Sequence, residues 1–245
     1  MRPYVLLALG VLLVTSGASA AELLTVDHPS YAVDPPQREP VQVYQNYDIT
    51  TIGDTQVACG VAGSYTTQNW FLRRFYLHED HGLDPGIIVQ SIDFGVSFLT
   101  GDMTVDIVVF QIPNGSEFRF DNMTEITRES VDLTPNDVGF LVNVPLSAEM
   151  YDGIGQDLVV AIEAPSGEPN LVSFYPAAND AGAFQDAYIA AANCDVPEPM
   201  AVSDIGFPDS QTIFVVNGES GIGGPPPPPV ATTPTTWGAV RGLFR

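Results

Sequence analysis

The stretch MTVDIVVFQI, Met103 to Ile112, decides the fold. Val105, Ile107 and Val109 alternate with Thr104 and Asp106, which puts one face of a strand toward a core and the other toward water. DLVVAIEA (Asp157–Ala164) repeats the pattern with Leu158, Val160 and Ile162 on one face. Further short runs rich in Val, Ile, Phe and Tyr lie on either side: NWFLRRFYL (Asn69–Leu77), GIIVQSIDFGVSFL (Gly86–Leu99), GFLVNVPL (Gly139–Leu146), NLVSFYP (Asn170–Pro176) and TIFVVNG (Thr212–Gly218). GDMT, PNGS, TPND and PSGEPN between them carry turn chemistry. No long stretch keeps a 3.6-residue apolar period, and AFQDAYIAAA (Ala183–Ala192) is the one short helical candidate. Many short strands at this spacing predict an all-β domain over residues 44–218, an antiparallel β-sandwich of the jelly-roll type.

The flanks of that domain read differently. Residues 1–20, MRPYVLLALGVLLVTSGASA, open with Arg2, continue with an apolar run from Tyr4 to Val14 and end in the small-residue site Ala18-Ser19-Ala20. This is the pattern of a signal peptide, and its apolar run is too short to span a bilayer. Residues 21–43 hold Pro29, Pro35, Pro36 and Pro40 and predict an extended lead-in. Residues 219–235 form a linker of Gly, Pro and Thr whose composition cannot build a packed core, so a disordered tether is expected. Its proline run, Pro225 to Pro229, predicts a stiff polyproline II spacer. Residues 236–245, TWGAVRGLFR, would place Trp237, Val240 and Phe244 on one helical stripe, with Arg241 and Arg245 one turn apart. A tail this short fits an address read by secretion or surface-attachment machinery better than an anchor acting unaided. The expected location is outside the cytoplasm, extracellular or on a cell surface.

The chain has 30 Asp and Glu against 8 Arg, no Lys, and a formal net charge of −22. Every acid lies between Glu22 and Glu219. Such a field repels nucleic acid and anionic lipid, which excludes both as partners of the domain, and it favours cations, calcium among them. The two cysteines, Cys59 and Cys194, are an even count in an oxidising compartment and predict a disulfide.

Several residues invite a chemical reading. His78-Glu79-Asp80-His81 has its histidines three apart, so it is not the helical zinc motif H-E-x-x-H. An exported metal-dependent hydrolase using His78, Asp80 and His81 is the alternative to an exposed polar loop. No G-x-S-x-G elbow and no phosphate-cradling glycine loop occur. Asp180, Asp195, Asp204 and Asp209, with Asn179 and Asp186 near them, are calcium candidates, which would make the chain a calcium-stabilised structural subunit of an extracellular assembly. Arg73 falls on the Phe71 and Phe75 side of its strand, and Arg74 on the Trp70, Leu72 and Tyr76 side. One guanidinium must face the core and needs a carboxylate, so Arg73 is read as half of a structural ion pair. Trp70 and Tyr76 either form an aromatic platform for a sugar or fill the sandwich.

Two stretches resemble known exported proteins. Asn69-Trp70-Phe71-Leu72-Arg73-Arg74-Phe75 resembles the Asn-x-aromatic-x-Arg-x-Phe strand of a β-sandwich module found in exported bacterial proteins. Asn179, Ala181, Gly182, Tyr188-Ile189-Ala190-Ala191, Cys194 and Ile205-Gly206-Phe207-Pro208-Asp209 are similar to that module's ending. The tail residues Trp237, Gly238, Val240, Arg241, Leu243, Phe244 and Arg245 are similar to a C-terminal Trp-Gly-x-Ile/Val-Lys/Arg-x-Leu-Tyr/Phe-Arg sorting motif on exported proteins of some Gram-negative bacteria. The resemblance implies an accessory module of the kind found in larger surface proteins and secreted hydrolases, and this chain is expected to depart from that usage, its domain standing alone with no catalytic partner attached. The expected function is a non-enzymatic binding or structural module, engaged in adhesion or in contact with a glycan or protein ligand.

Overall fold

A computed structural model describes residues 38–53 and 55–220. The segments read as a signal peptide and as a sorting tail, the lead-in up to residue 37 and the linker from residue 221 onward lie outside the described residues, whereas Glu219 and Ser220, expected in the linker, end the last strand. In chain order the elements are β1 (Pro40–Tyr44), β2 (Gly60–Val61), β3 (Tyr65–Thr66), β4 (Asn69–Phe75), the single-turn helix α1 (Leu77–His81), β5 (Ile87–Leu99), β6 (Met103–Pro113), β7 (Thr124–Leu133) and β8 (Leu141–Met150). They continue with β9 (Gln156–Ala164), β10 (Phe174–Pro176), β11 (Ala178–Asn179), β12 (Ala187–Ala191), β13 (Val196–Ala201), β14 (Gln211–Thr212) and β15 (Phe214–Ser220).

Two sheets form the sandwich. The five-stranded sheet runs β1-β15-β5-β10, with β8 also paired to β5, and the six-stranded sheet runs β13-β12-β4-β9-β6-β7. Every pairing is antiparallel. The pairs β6·β7, β5·β8, β4·β9 and β1·β15 nest inside one another along the chain. Successive pairs fall in alternate sheets, as when one long antiparallel ribbon is rolled up into a jelly roll. The expected all-β sandwich is therefore the observed fold. β12 and β13 are inserted between β9 and β15 and extend the second sheet past β4.

The inner faces carry Phe71, Phe75, Phe94, Ile107, Ile162 and Phe214, all fully or almost fully buried between the sheets. One element departs from its sequence reading. AFQDAYIAAA holds strand β12, not a helical turn, because Ala187 and Ile189 drop into the core while Ala187–Ala190 pair with Trp70–Arg73 of β4. Tertiary pairing overrides the helix preference of alanine. The turn into β5 needs Gly86, whose φ is +97° and whose missing Cβ would meet the Met150 carbonyl oxygen at 1.9 Å.

Cys59 and Cys194 are bonded, across a sequence separation of 135. The bridge ties the segment ahead of β2 to the turn between β12 and β13. Asn69 holds the Cys59 end: its Oδ1 accepts from the Cys59 N–H at 2.8 Å, and its Nδ2 donates to the carbonyls of Cys59 and Thr67 at 3.0 and 2.8 Å.

The ion pair expected at Arg73 is formed by its neighbour instead. Arg73 is fully buried, and donates to the carbonyls of Thr212 and Gln185 at 3.0 and 2.6 Å and to Asn46 Oδ1 at 3.1 Å. Among the described residues it touches no carboxylate. The backbone oxygens it meets come from β14 and from the segment before β12. Arg74 points the other way and places Nε and Nη2 at 2.8 and 2.6 Å from Asp157 Oδ2.

Candidate functional site

The two outer faces of the sandwich are unlike. On the six-stranded sheet, Leu72, Val108, Phe110, Ile112, Val159 and Ala161 form a second apolar cluster, closed over by Phe118, Phe120 and Met123 from the β6–β7 connection. Trp70 belongs to this layer, 5.3 Å from Phe120 and 6.2 Å from Phe110, with the Arg128 guanidinium 5.8 Å above its ring. Tyr76 stacks 5.1 Å from Arg74. Trp70 and Tyr76 therefore serve separate packing roles and share no platform.

The outer face of the five-stranded sheet presents polar side chains to solvent. Val43, Ile92, Phe94, Val144 and Val216 point inward to the core, so the residues between them point out. Antiparallel register aligns Tyr44, Val215, Asp93 and Asn143 in one row across four strands, and Gln42, Asn217, Ser91 and Pro145 in the next. Their side chains join. Gln42 Nε2 donates to Asn217 Oδ1 at 2.8 Å. Asn217 Nδ2 donates to Asp93 Oδ2 at 2.8 Å and to Ser91 Oγ at 3.3 Å. From the opposite side Asn143 Nδ2 donates to Ser91 Oγ at 3.0 Å and to Asp93 Oδ1.

Asp93 and Ser91 are thus gripped by an amide from each neighbouring strand. The Ser91 hydroxyl proton and the carbonyl oxygens of Gln42 and Asn143 have no protein partner among the described residues. Apolar groups border the polar rows. Tyr44 and Leu141 are exposed, and Phe98 packs edge-on against Tyr175 with ring centroids 5.8 Å apart. Gly95, itself buried, lets Ala177 pack directly against β5, since a Cβ there would lie 2.2 Å from the Ala177 methyl. The face thus sets hydrogen-bond donors and acceptors, held by one another, beside apolar side chains.

Other sequence candidates end up apart. His78 Nδ1 lies 2.6 Å from Asp84 Oδ1, and this hydrogen bond raises its pKa above the usual histidine value. His81 sits between the rings of Phe75 and Phe184, at 6.4 and 6.0 Å, and burial pushes its pKa down. Asp80 Oδ2 accepts from Gln185 Nε2 at 2.9 Å. The three side chains face three different partners and share no centre. Asp180, Asp195, Asp204 and Asp209 are each exposed on separate turns. The amide of Asn179 is taken by the carbonyls of Asp48 and Thr51, and Asp186 accepts from Ser203 and Gln211. Among the described residues no three His, Cys, Asp or Glu converge as ion ligands.

Reading the sequence did not single out Gln42, Ser91, Asp93, Phe98, Asn143, Tyr175 or Asn217. Ser91 and Asp93 alternate with Ile92 and Phe94, and Asn143 with Val142 and Val144, so their outward direction was legible. Polar outward residues occur on every half-buried strand, and only register shows that these five polar side chains meet. Fold and surface together define an all-β jelly-roll sandwich with one amide-lined sheet face. No protein-family model matches the chain, and no curated protein matches it.

Proposed function

We propose that this chain is an exported binding module, not an enzyme, and that it contacts glycans through the outer face of its five-stranded sheet. The observation that carries the reading is the linked row Gln42–Asn217–Ser91/Asp93–Asn143, beside Tyr44, Phe98 and Tyr175. Neighbouring sugar hydroxyls each donate and accept, which suits fixed amides and a serine hydroxyl. The apolar faces of pyranose rings suit exposed aromatic side chains. Export is supported by the signal-like residues 1–20 and by the Cys59–Cys194 bond, which belongs in an oxidising compartment. No described helix is long and apolar enough to cross a membrane. In this reading the tail from Trp237 to Arg245 hands the module to secretion or surface-attachment machinery.

The test is a glycan array followed by calorimetry on each hit, with Asn143→Ala, Phe98→Ala and, as a control on the opposite sheet, Glu129→Ala. Asn143→Ala and Phe98→Ala are expected to weaken binding about tenfold or more with unchanged melting, while Glu129→Ala binds as the parent does. An array without a hit, or hits indifferent to Asn143 and Phe98, would sink the proposal.

A further inference from the structure

The chain holds two Asp–Pro bonds, Asp34–Pro35 and Asp84–Pro85. The second lies in an exposed turn between α1 and β5, closed by the Gly86 N–H donating to the Leu83 carbonyl at 2.9 Å. An aspartyl–prolyl bond is chemically weak. The side-chain carboxylate can close a five-membered ring on its own carbonyl carbon, and the proline nitrogen is a good leaving group once protonated. Here two further features converge on that bond. His78 Nδ1 lies 2.6 Å from Asp84 Oδ1, and the Gly153 N–H donates to the Asp84 carbonyl oxygen at 3.0 Å. Neither takes part in the sheet-face network.

We propose that Asp84–Pro85 is a self-cleavage site, with Asp84 as nucleophile, His78 as general acid and the Gly153 N–H as the donor to the developing oxyanion. With His78 holding Oδ1, Asp84 Oδ2 attacks the Asp84 carbonyl carbon. The carbonyl electron pair moves onto its oxygen, where the Gly153 N–H stabilises it. As the intermediate collapses, the C–N bond breaks and its electron pair stays on the Pro85 nitrogen. That nitrogen takes the proton from His78, which the carboxylate no longer holds once it has lost its charge. One water then opens the cyclic anhydride at Asp84 and returns a proton to His78. The balance is hydrolysis of one peptide bond, with water as the only co-reactant.

The two resulting chains stay together. The piece ending at Asp84 supplies β1 and β4, which remain paired to β15 and β9 in the other piece, and Cys59–Cys194 links them covalently. The full chain is therefore incubated and run on gels with and without reductant, and its fragments are weighed by mass spectrometry. Fragments ending at Asp84 and beginning at Pro85 are expected only after reduction, at a rate independent of protein concentration. That rate should be at least about tenfold faster than in guanidinium-unfolded chain, where Asp34–Pro35 provides the reference rate. Pro85→Ala should abolish the cut, and His78→Gln should slow it to the unfolded rate without changing the melting temperature. Cleavage at Asp84–Pro85 no faster in the folded than in the unfolded chain, or equally fast in His78→Gln, overturns the proposal.

Discussion

Arg73 and Arg74 are consecutive in β4, so they leave the strand on opposite faces, and both are lost to solvent. Each solves the problem of a buried charge differently. Arg73 spreads its charge over two backbone carbonyls and an amide oxygen, and burial pulls its pKa down to about 9, so it remains charged at neutral pH. Arg74 takes a carboxylate, and burial pushes the Asp157 carboxyl up against the pull of that guanidinium. Asp157 Oδ1 is buried with no partner, so the pair is held through one oxygen alone. Removing one member should be costly. Asp157→Ala is expected to lose about 3–5 kcal/mol in urea unfolding, because the buried Arg74 loses its only carboxylate and keeps only the carbonyls of Ser116 and Pro113. Arg74→Met combined with Asp157→Leu should recover most of that loss. A single-variant loss under about 1 kcal/mol would show that water reaches the site.

At the scale of elements, the edges of the sheets show how the sandwich stays closed to unwanted pairing. β13 borders the six-stranded sheet, and its sequence VPEPMA places Pro197 and Pro199 in a strand with one open side. Proline offers no N–H to an incoming strand, and Glu198 between them adds charge. Pro197→Val together with Pro199→Val should produce species larger than the parent, growing with concentration, by size-exclusion chromatography with light scattering. An elution profile identical to the parent's would show that another feature guards this edge. β12 teaches a related lesson. Its alanines favour a helix taken alone, and pairing with β4 on one side and β13 on the other makes them a strand.

For the whole molecule, the decisive feature is that distant segments meet. The rolled ribbon brings β1 beside β15, and Cys59–Cys194 closes a loop that contains most of the sandwich. In a chain-entropy account a loop with a separation of 135 contributes about 4–5 kcal/mol by restricting the unfolded chain. Replacing Cys59 and Cys194 by serine together should lower the unfolding free energy by about that amount, measured from urea midpoints at constant m. A change below about 1 kcal/mol would mean that the unfolded chain is already compact around this loop.

The sequence by itself determined that Met103–Ile112 and Asp157–Ala164 are strands and which of their side chains enter the core between the sheets, because successive residues point to opposite sides whatever the strand pairs with; it did not show that Val108, Ile112, Val159 and Ala161 on the other face, expected toward water, are buried too under Phe118, Phe120 and Met123. It also determined the disulfide, since two cysteines leave one pairing. Tertiary structure alone decided which arginine receives the carboxylate and which polar residues assemble into a surface. Both depend on register between segments far apart in the chain: Gln42 and Asn217 touch across 175 residues. A shift of one residue in that register would turn the polar row into the core, and no local pattern in either strand records who its neighbour is.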